Sequence, residues 1–323
     1  MIVPKYWAEA RLQERRDKKS FTVRRWGWSD VSQEDAQFNA DRRAKEAMER
    51  ILEGEPLGRR EKKASYGVEG VPIREEVVSR HGDAVVTRNI YGARCLNSPN
   101  TFFADVDFPV NNSVAYGCVV GLICTAVVAA SFVFIKGFIF IKIAAFLGCF
   151  LASVVVSMLH GAVVSLRGGM ENIVRRRIER YFAARELWRW RLYRTPVGFR
   201  MLILHRPFDP TDPEVEATFK GLCADKLYAL LCRKQQCFRA RVSAKPWRIG
   251  CERMPPSHAV WPILSEKMPE REKWIDGYER TAVGFAACRF EGEFGEGIPD
   301  SRVVAVQRLH DQLCGAESGL PIA

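Results

Sequence analysis

Two aspartates stand one residue apart in the run Phe102-Phe-Ala-Asp-Val-Asp-Phe108. The run reads as a strand, on which alternate side chains share a face. Phe102, Ala104, Val106 and Phe108 then pack inward, and Asp105 and Asp107 project together from the other face beside Phe103. Two carboxylates about 7 Å apart at their Cα atoms can converge on Mg2+ or Mn2+, the ions that clamp phosphate oxygens in phosphoryl transfer. The plainer reading is an exposed strand face carrying two acids. Asp is disfavoured inside strands, so a pair there asks for a reason.

Basic groups follow later in the chain. After a turn at Thr195-Pro-Val-Gly198, a strand runs from Phe199 to His205, with Arg200, Leu202 and Leu204 on one face. An arginine beside a glycine turn can hold a phosphate, and a lone histidine at a strand end is more often structural. From Cys237 to Ser243 a second strand puts Arg239, Arg241 and Ser243 on one face and Phe238, Ala240 and Val242 on the other. Lys245, Trp247 and Arg248 follow directly. Cations interleaved with an aromatic can grip phosphates while a base stacks on the ring. A solvent-facing arginine ladder is the bland alternative. A third group, Arg175, Arg176, Arg177 and Arg180, continues through Arg194. It suits nucleic acid, but its place beside an apolar segment favours anionic lipid, at about 1 kcal/mol per basic side chain near the surface.

A strand bearing Asp-x-Asp, a later strand with Gly-x-Arg and a histidine, and a basic strand ending in Ser-x-Lys-Pro together resemble the layout of archaeo-eukaryotic-type primase-polymerase cores. The resemblance covers about a quarter of the chain. It implies a small sheet whose carboxylates hold metal ions for nucleotide addition. Asp105 and Asp107 would be metal ligands, Arg200 or His205 would lie near the nucleotide phosphate, and Lys245 would be a further phosphate contact. The family's Ser-x-His triplet has no counterpart here, and a membrane insertion is not part of its usual pattern. P-loop, G-x-G-x-x-G, H-E-x-x-H and G-x-S-x-G motifs are absent. Cys232 and Cys237 are joined by no second pair or histidine cluster, so zinc is not expected.

These groups must be carried by something, and the chain between them is its most distinctive part. From Ser113 to Ile135 there are 23 residues without a charge; Lys136 and Gly137 interrupt; apolar sequence then resumes and, past Lys142, runs uncharged from Ile143 to Leu166. About 20 helical residues span the hydrocarbon layer, so the length fits two crossings joined by a turn at Lys136-Gly137. Small residues recur every fourth position in two rows: Gly117, Gly121 and Thr125, then Ala145, Cys149, Ser153, Ser157 and Gly161. Such rows allow close helix contact in lipid. The N-terminus has no apolar signal-peptide region. The chain of 323 residues carries a net charge of +11, and residues 167–200 hold ten Arg against three Glu. Positive charge beside a crossing marks the cytoplasmic face, which puts both flanking parts in the cytosol. Ten cysteines suit that reducing compartment.

The spacing of apolar residues and caps predicts the remaining elements. Arg11 to Lys19 reads as a charged, helical or frayed segment and Phe21 to Trp28 as a strand. A helix capped by Ser32 runs to about Leu52 with Phe38, Ala44, Met48, Ile51 and Leu52 inward, and residues 53–66 form a loop. Ala84 to Arg88 is a strand. Beyond the membrane come a helix over Met170 to Leu187, a hairpin over Trp190 to His205 and short helices over Pro213 to Leu222 and Asp225 to Arg233. A helix over Glu270 to Cys288, a Gly- and Glu-rich loop over 291–300 and a helix over Arg302 to Leu313 complete the chain. The composite expectation is an α+β fold: an N-terminal cytosolic part over 1–112, a two-helix transmembrane hairpin over 113–166 and a C-terminal cytosolic part over 167–323. Functionally it suits an inner-membrane protein whose cytosolic domain binds or scaffolds a lipid, nucleic-acid, nucleotide or protein partner. The alternative is a metal-dependent nucleotidyl- or phosphoryl-transfer enzyme using Asp105 and Asp107.

Overall fold

The computed structural model describes residues 3–16, 18–59, 72–109, 118–123, 125–126 and 139–323. Its N-terminal sequence alternates small or aromatic residues with charged ones, a period-2 pattern. It folds as a hairpin of two 11-residue strands, β1 (Tyr6–Arg16) and β2 (Lys19–Ser29), paired antiparallel from Tyr6↔Ser29 to Arg16↔Lys19. The expected helical or frayed segment at Arg11 to Lys19 is therefore strand and turn. Its charges project from the outer half of the ladder, where β1 is exposed from Arg11 onward, so nothing in their burial opposes pairing.

Helix α1 (Gln33–Leu52) packs on this hairpin. The Ser32 side chain accepts from the Asp35 N–H as its cap. The buried face is made of Ala36, Ala40, Ala44, Ala47 and Met48, whereas the expected inward residue Phe38 is 69% exposed. Gly27 explains the alanine face. A Cβ there would lie 2.2 Å from Ala40 N and 2.3 Å from Ala36 O, so helix backbone rests directly on strand backbone and only small residues fit the seam.

Two four-stranded sheets follow. One has the order β3 (Glu76–His81), β4 (Ala84–Arg88), β5 (Arg94–Ser98) and β9 (Phe238–Arg241), with antiparallel neighbours throughout. The other has the order β10 (Arg289–Phe294), β7 (Trp190–Thr195), β8 (Gly198–Ile203) and β6 (Phe103–Asp107). The fold is thus mixed α+β. All six residues of β8 are buried. Phe102, just ahead of β6, joins the layers: its ring lies 4.9 Å from Phe238 of β9 and 5.1 Å from Phe219 of helix α4 (Pro213–Leu222), which Asp212 caps. Two elements differ from the expected pattern. The Gly- and Glu-rich stretch over 291–300 is partly strand, because β10 bulges at Glu291, ahead of Gly292 (φ +157°), and still pairs with β7. The helix expected over Glu270 to Cys288 is α7, Met268–Ala282, and ends six residues before Cys288.

By contact the chain divides into two compact units, Met1–Asp105 with Arg185–Ala323 and Val106–Ala184. Within the second, residues 118–123 and 125–126 are helical, followed by α2 (Ile139–Leu166) and α3 (Gly169–Ala183). Gly168 and Gly169, both at positive φ, break α2 from α3. A Cβ on Gly121 would meet Ser153 Cβ at 3.6 Å, so the two rows of small residues touch there. Among the described residues one helix, Phe146–Leu166, is long and apolar enough to cross a membrane. The expected turn at Lys136-Gly137, and most of the expected first crossing, lie outside the described residues.

Gly27→Ala is expected to cost about 2–3 kcal/mol, because its methyl group meets backbone that cannot step aside. Gly277→Ala, inside α7 with open space where its Cβ would sit, should instead raise stability by about 0.5–1 kcal/mol. Urea unfolding of both variants measures the contrast.

Candidate functional site

Arg200 is the polar centre of the larger unit. It projects from the buried strand β8 with a side chain 3% exposed. Its Nε donates to Asp105 Oδ1 at 2.7 Å and its Nη2 to Asp105 Oδ2 at 2.9 Å, a bidentate pair. Nη1 donates to the Arg241 carbonyl at 2.9 Å and stands 3.3 Å from His310 Nε2. One guanidinium therefore ties β8 to β6, to β9 and to helix α8 (Ser301–Cys314). Burial works against its charge, and the Asp105 carboxylate more than offsets that, holding the pKa of Arg200 well above its ordinary value.

Beside it lies a cluster that the sequence pattern does not reveal. Cys288, His310 and Cys314 are all buried, and their Sγ and ring nitrogen atoms lie within 4.8 Å of one another. This Cys-His-Cys group could hold a metal ion. His310 and Cys314 are four residues apart on α8 and so share a face. Cys288 reaches them because α7 has already ended and the Ala287 N–H donates to the Cys314 carbonyl at 2.8 Å. Phe103 and Tyr193 wall the imidazole at ring distances of 5.2 and 4.8 Å. His310 Nδ1 is 2.9 Å from Asp311 Oδ1, and Arg191 holds the other oxygen, Asp311 Oδ2, at 2.7 Å.

The electrostatics of the cluster separate its two thiols. Cys288 is held well below the ordinary thiol range, chiefly by the Cys314 thiol donating to it, against burial and with help from His310 and Arg200. Burial, and then the neighbouring Cys288 thiolate, push Cys314 well above that range. Burial opposes the imidazolium of His310, but Asp311 and Cys288 raise its pKa on balance. Burial likewise opposes the Asp311 carboxylate, which His310 and Arg191 hold below its usual value.

The expected site residues are distributed as follows. Asp105 meets Arg200, and Asp107 is exposed two residues on; both oxygens of Asp105 accept from the guanidinium, so the two acids do not stand together as open ligands. Arg239 donates from Nη2 to both oxygens of the buried Glu75, at 2.7 and 2.6 Å. Arg241 Nη1 donates to the Ser243 and Ala323 carbonyls at 2.5 and 3.2 Å. Lys245 stands over the Trp247 ring at 5.5 Å, and Arg248 ends the short 3-10 turn Pro246–Arg248. His205 packs on Trp188, and burial lowers its pKa. Arg175, Arg176, Arg177 and Arg180 lie on α3, whose buried face is Val174, Ile178 and Phe182. Cys232 and Cys237 are both buried and free.

A second feature of the larger unit is a cleft of about 940 Å3 whose lining includes Arg24, Trp26, Arg74, Tyr91, Arg253 and Lys267. Among its described lining residues Glu9 is the one acid. The Arg74 guanidinium lies 3.7 Å from the Trp26 ring centroid, and its Nε donates to the Trp261 carbonyl at 3.2 Å. From the other side the buried Arg271 holds the wall, donating to the His258 carbonyl and, at 2.5 Å, to Glu76. The cleft thus sets four cations and two aromatic rings against an apolar wall that includes Ile90, Met254, Val260, Ile263 and Leu264.

Set against known proteins, the chain matches no family model, no curated protein and no solved structure.

Asp105→Asn leaves Arg200 buried without its counter-charge and is expected to cost about 3 kcal/mol, read by urea unfolding. A second outcome concerns the start of α8. Asp300 accepts from the Arg302 N–H as its cap, and Arg302 holds its carboxyl down to about 2. A depressed carboxylate stabilises above its ordinary pKa and ceases to as the pH falls through the depressed value. The Tm gap between the native chain and Asp300→Ala should accordingly be full at pH 6 and shrink as pH approaches 2.

Proposed function

We propose that this chain is an integral membrane protein, acting as a membrane-anchored binding or scaffold protein through its α+β unit. The observation that carries the reading is the helix Phe146–Leu166, 21 residues long and only 12% buried. Phe150, Leu151, Met158 and Leu159 lie exposed along it. In water such a surface opposes solubility, and in lipid it costs nothing. The helix leads through Gly168 into α3, whose Arg175, Arg176, Arg177 and Arg180 suit anionic headgroups.

Two crossings are the arrangement we favour. Gly121 and Ser153, which touch, are each sixteen residues from Gly137 in the sequence, as helices of an antiparallel pair turning at Lys136-Gly137 require. Ten Arg against three Glu over 167–200 favour a cytosolic location for both flanks at a cell inner membrane. The surface offered to a partner is this cleft, whose chemistry suits a nucleotide or another planar anion: Arg253 and Lys267 take the phosphate while Tyr91 and the apolar wall receive the base. The second reading, a primase-like enzyme holding Mg2+ or Mn2+ between Asp105 and Asp107, draws less support, because Arg200 occupies both Asp105 oxygens.

After cell breakage and ultracentrifugation the protein should sediment with membranes, resist alkaline carbonate and dissolve only in detergent. Recovery in the supernatant without detergent would remove the reading, and a reporter after Ala323 active only outside the cytosol would reverse the orientation. Binding of a fluorescent adenine nucleotide to the detergent-solubilised protein should weaken about tenfold in Arg253→Glu and fall steeply with salt.

A further inference from the structure

The membrane reading makes no use of Cys288, His310 and Cys314, and they do not depend on it. We infer that these three residues form a zinc site, two thiolates and one imidazole, that fastens the segment ahead of β10 to helix α8. Four observations converge on it.

The first is spacing. Cys314 Sγ and His310 Nε2 are 3.4 Å apart. Tetrahedral zinc with Zn–S of about 2.3 Å and Zn–N of about 2.05 Å holds such a pair about 3.5 Å apart. The second is orientation. Asp311 sits on Nδ1, which directs the lone pair of Nε2 toward the sulfurs. A carboxylate behind a histidine is the usual outer partner of a metal-bound imidazole.

The third is donor chemistry. Thiolate and imidazole suit zinc, whereas Mg2+ and Mn2+ prefer oxygen. The nearby oxygens are already engaged, Asp105 by Arg200 and Asp311 by Arg191. The fourth is charge. Those two ion pairs each sum to zero, and so does a divalent ion with two thiolates, so the loaded site adds no net charge to a buried region. Arg200 Nη1, now 3.3 Å from Nε2, keeps the Arg241 carbonyl when that lone pair turns to the ion. Three protein ligands leave one position for water. The ion holds α8 to the segment ahead of β10, beside the strand that carries Arg200. Zinc takes both sulfurs as thiolates, and any thiol proton they still carry leaves to solvent, with no change of oxidation state.

The test uses untagged, full-length protein purified in detergent without added chelator. Elemental analysis should find one zinc per chain, falling to background in the Cys288→Ser/Cys314→Ser double variant. Cobalt exchanged into the native chain should give sulfur-to-cobalt charge-transfer absorption at the strength of two thiolates, halved in either single serine variant and retained in His310→Gln. Removing the metal should lower the Tm of the native chain by several degrees and leave the double variant unchanged. Should the variants fail to fold, the native chain alone decides. Freshly purified native protein without zinc and unable to take up cobalt overturns the assignment, as does a disulfide between Cys288 and Cys314 in that protein. Neither result bears on whether the chain sediments with membranes.

Discussion

The buried bidentate pair of Arg200 and Asp105 is the constraint around which the larger unit is arranged. A guanidinium on a fully buried strand is tolerable only if each donor edge finds an acceptor and the charge finds a partner. The chain meets that demand from three directions: Asp105 on β6, the Arg241 carbonyl on β9 and His310 on α8. All three partners lie far from Arg200 in sequence, so the full set is assembled only when both sheets and the C-terminal helix have come together. The pair also gives Asp105 a structural task, with both carboxylate oxygens accepting from the guanidinium.

Similar pairing runs through the unit. Arg239 answers Glu75, Arg271 answers Glu76, Arg88 answers Glu279, and Arg191 answers Asp311. Many of the arginines that look in sequence like a surface for phosphate are internal fasteners. Arg suits that work because its planar fork can serve several acceptors at once. Other cations stay at the surface, and Arg253 and Lys267 are among those that line the cleft. Basic composition thus divides into a paired, internal share and a surface share, and only the structure makes the division.

Much of the local architecture was legible. Ser32 caps the helix expected of it, the hairpin from Trp190 is present, and helices lie where they were expected near Met170 and over Pro213 to Leu222. Misreadings arose where tertiary contact overrode local pattern. The charged stretch Arg11 to Lys19 became strand because β2 supplied a partner. The glycine-rich stretch after Cys288 became β10 because β7 did the same, with a bulge at Glu291 ahead of Gly292. Phe38 was expected inward, but the close approach at Gly27 admits only alanines.

What the sequence settles unaided is governed by near neighbours: the α+β mixture, the helix caps, and a run of apolar residues long enough to seek lipid. Those follow from periodicity and composition over a few turns, where the interacting residues are close along the chain. The Cys288, His310 and Cys314 group could not be read that way. His310 and Cys314 share a helix face, but Cys288 joins them only because α7 stops at Ala282 and the chain folds back through the Ala287 N–H. Likewise an aspartate that resembles a metal ligand proves to be the counter-ion of Arg200, since which charge meets which in a low-dielectric interior is fixed by packing, not by spacing along the chain.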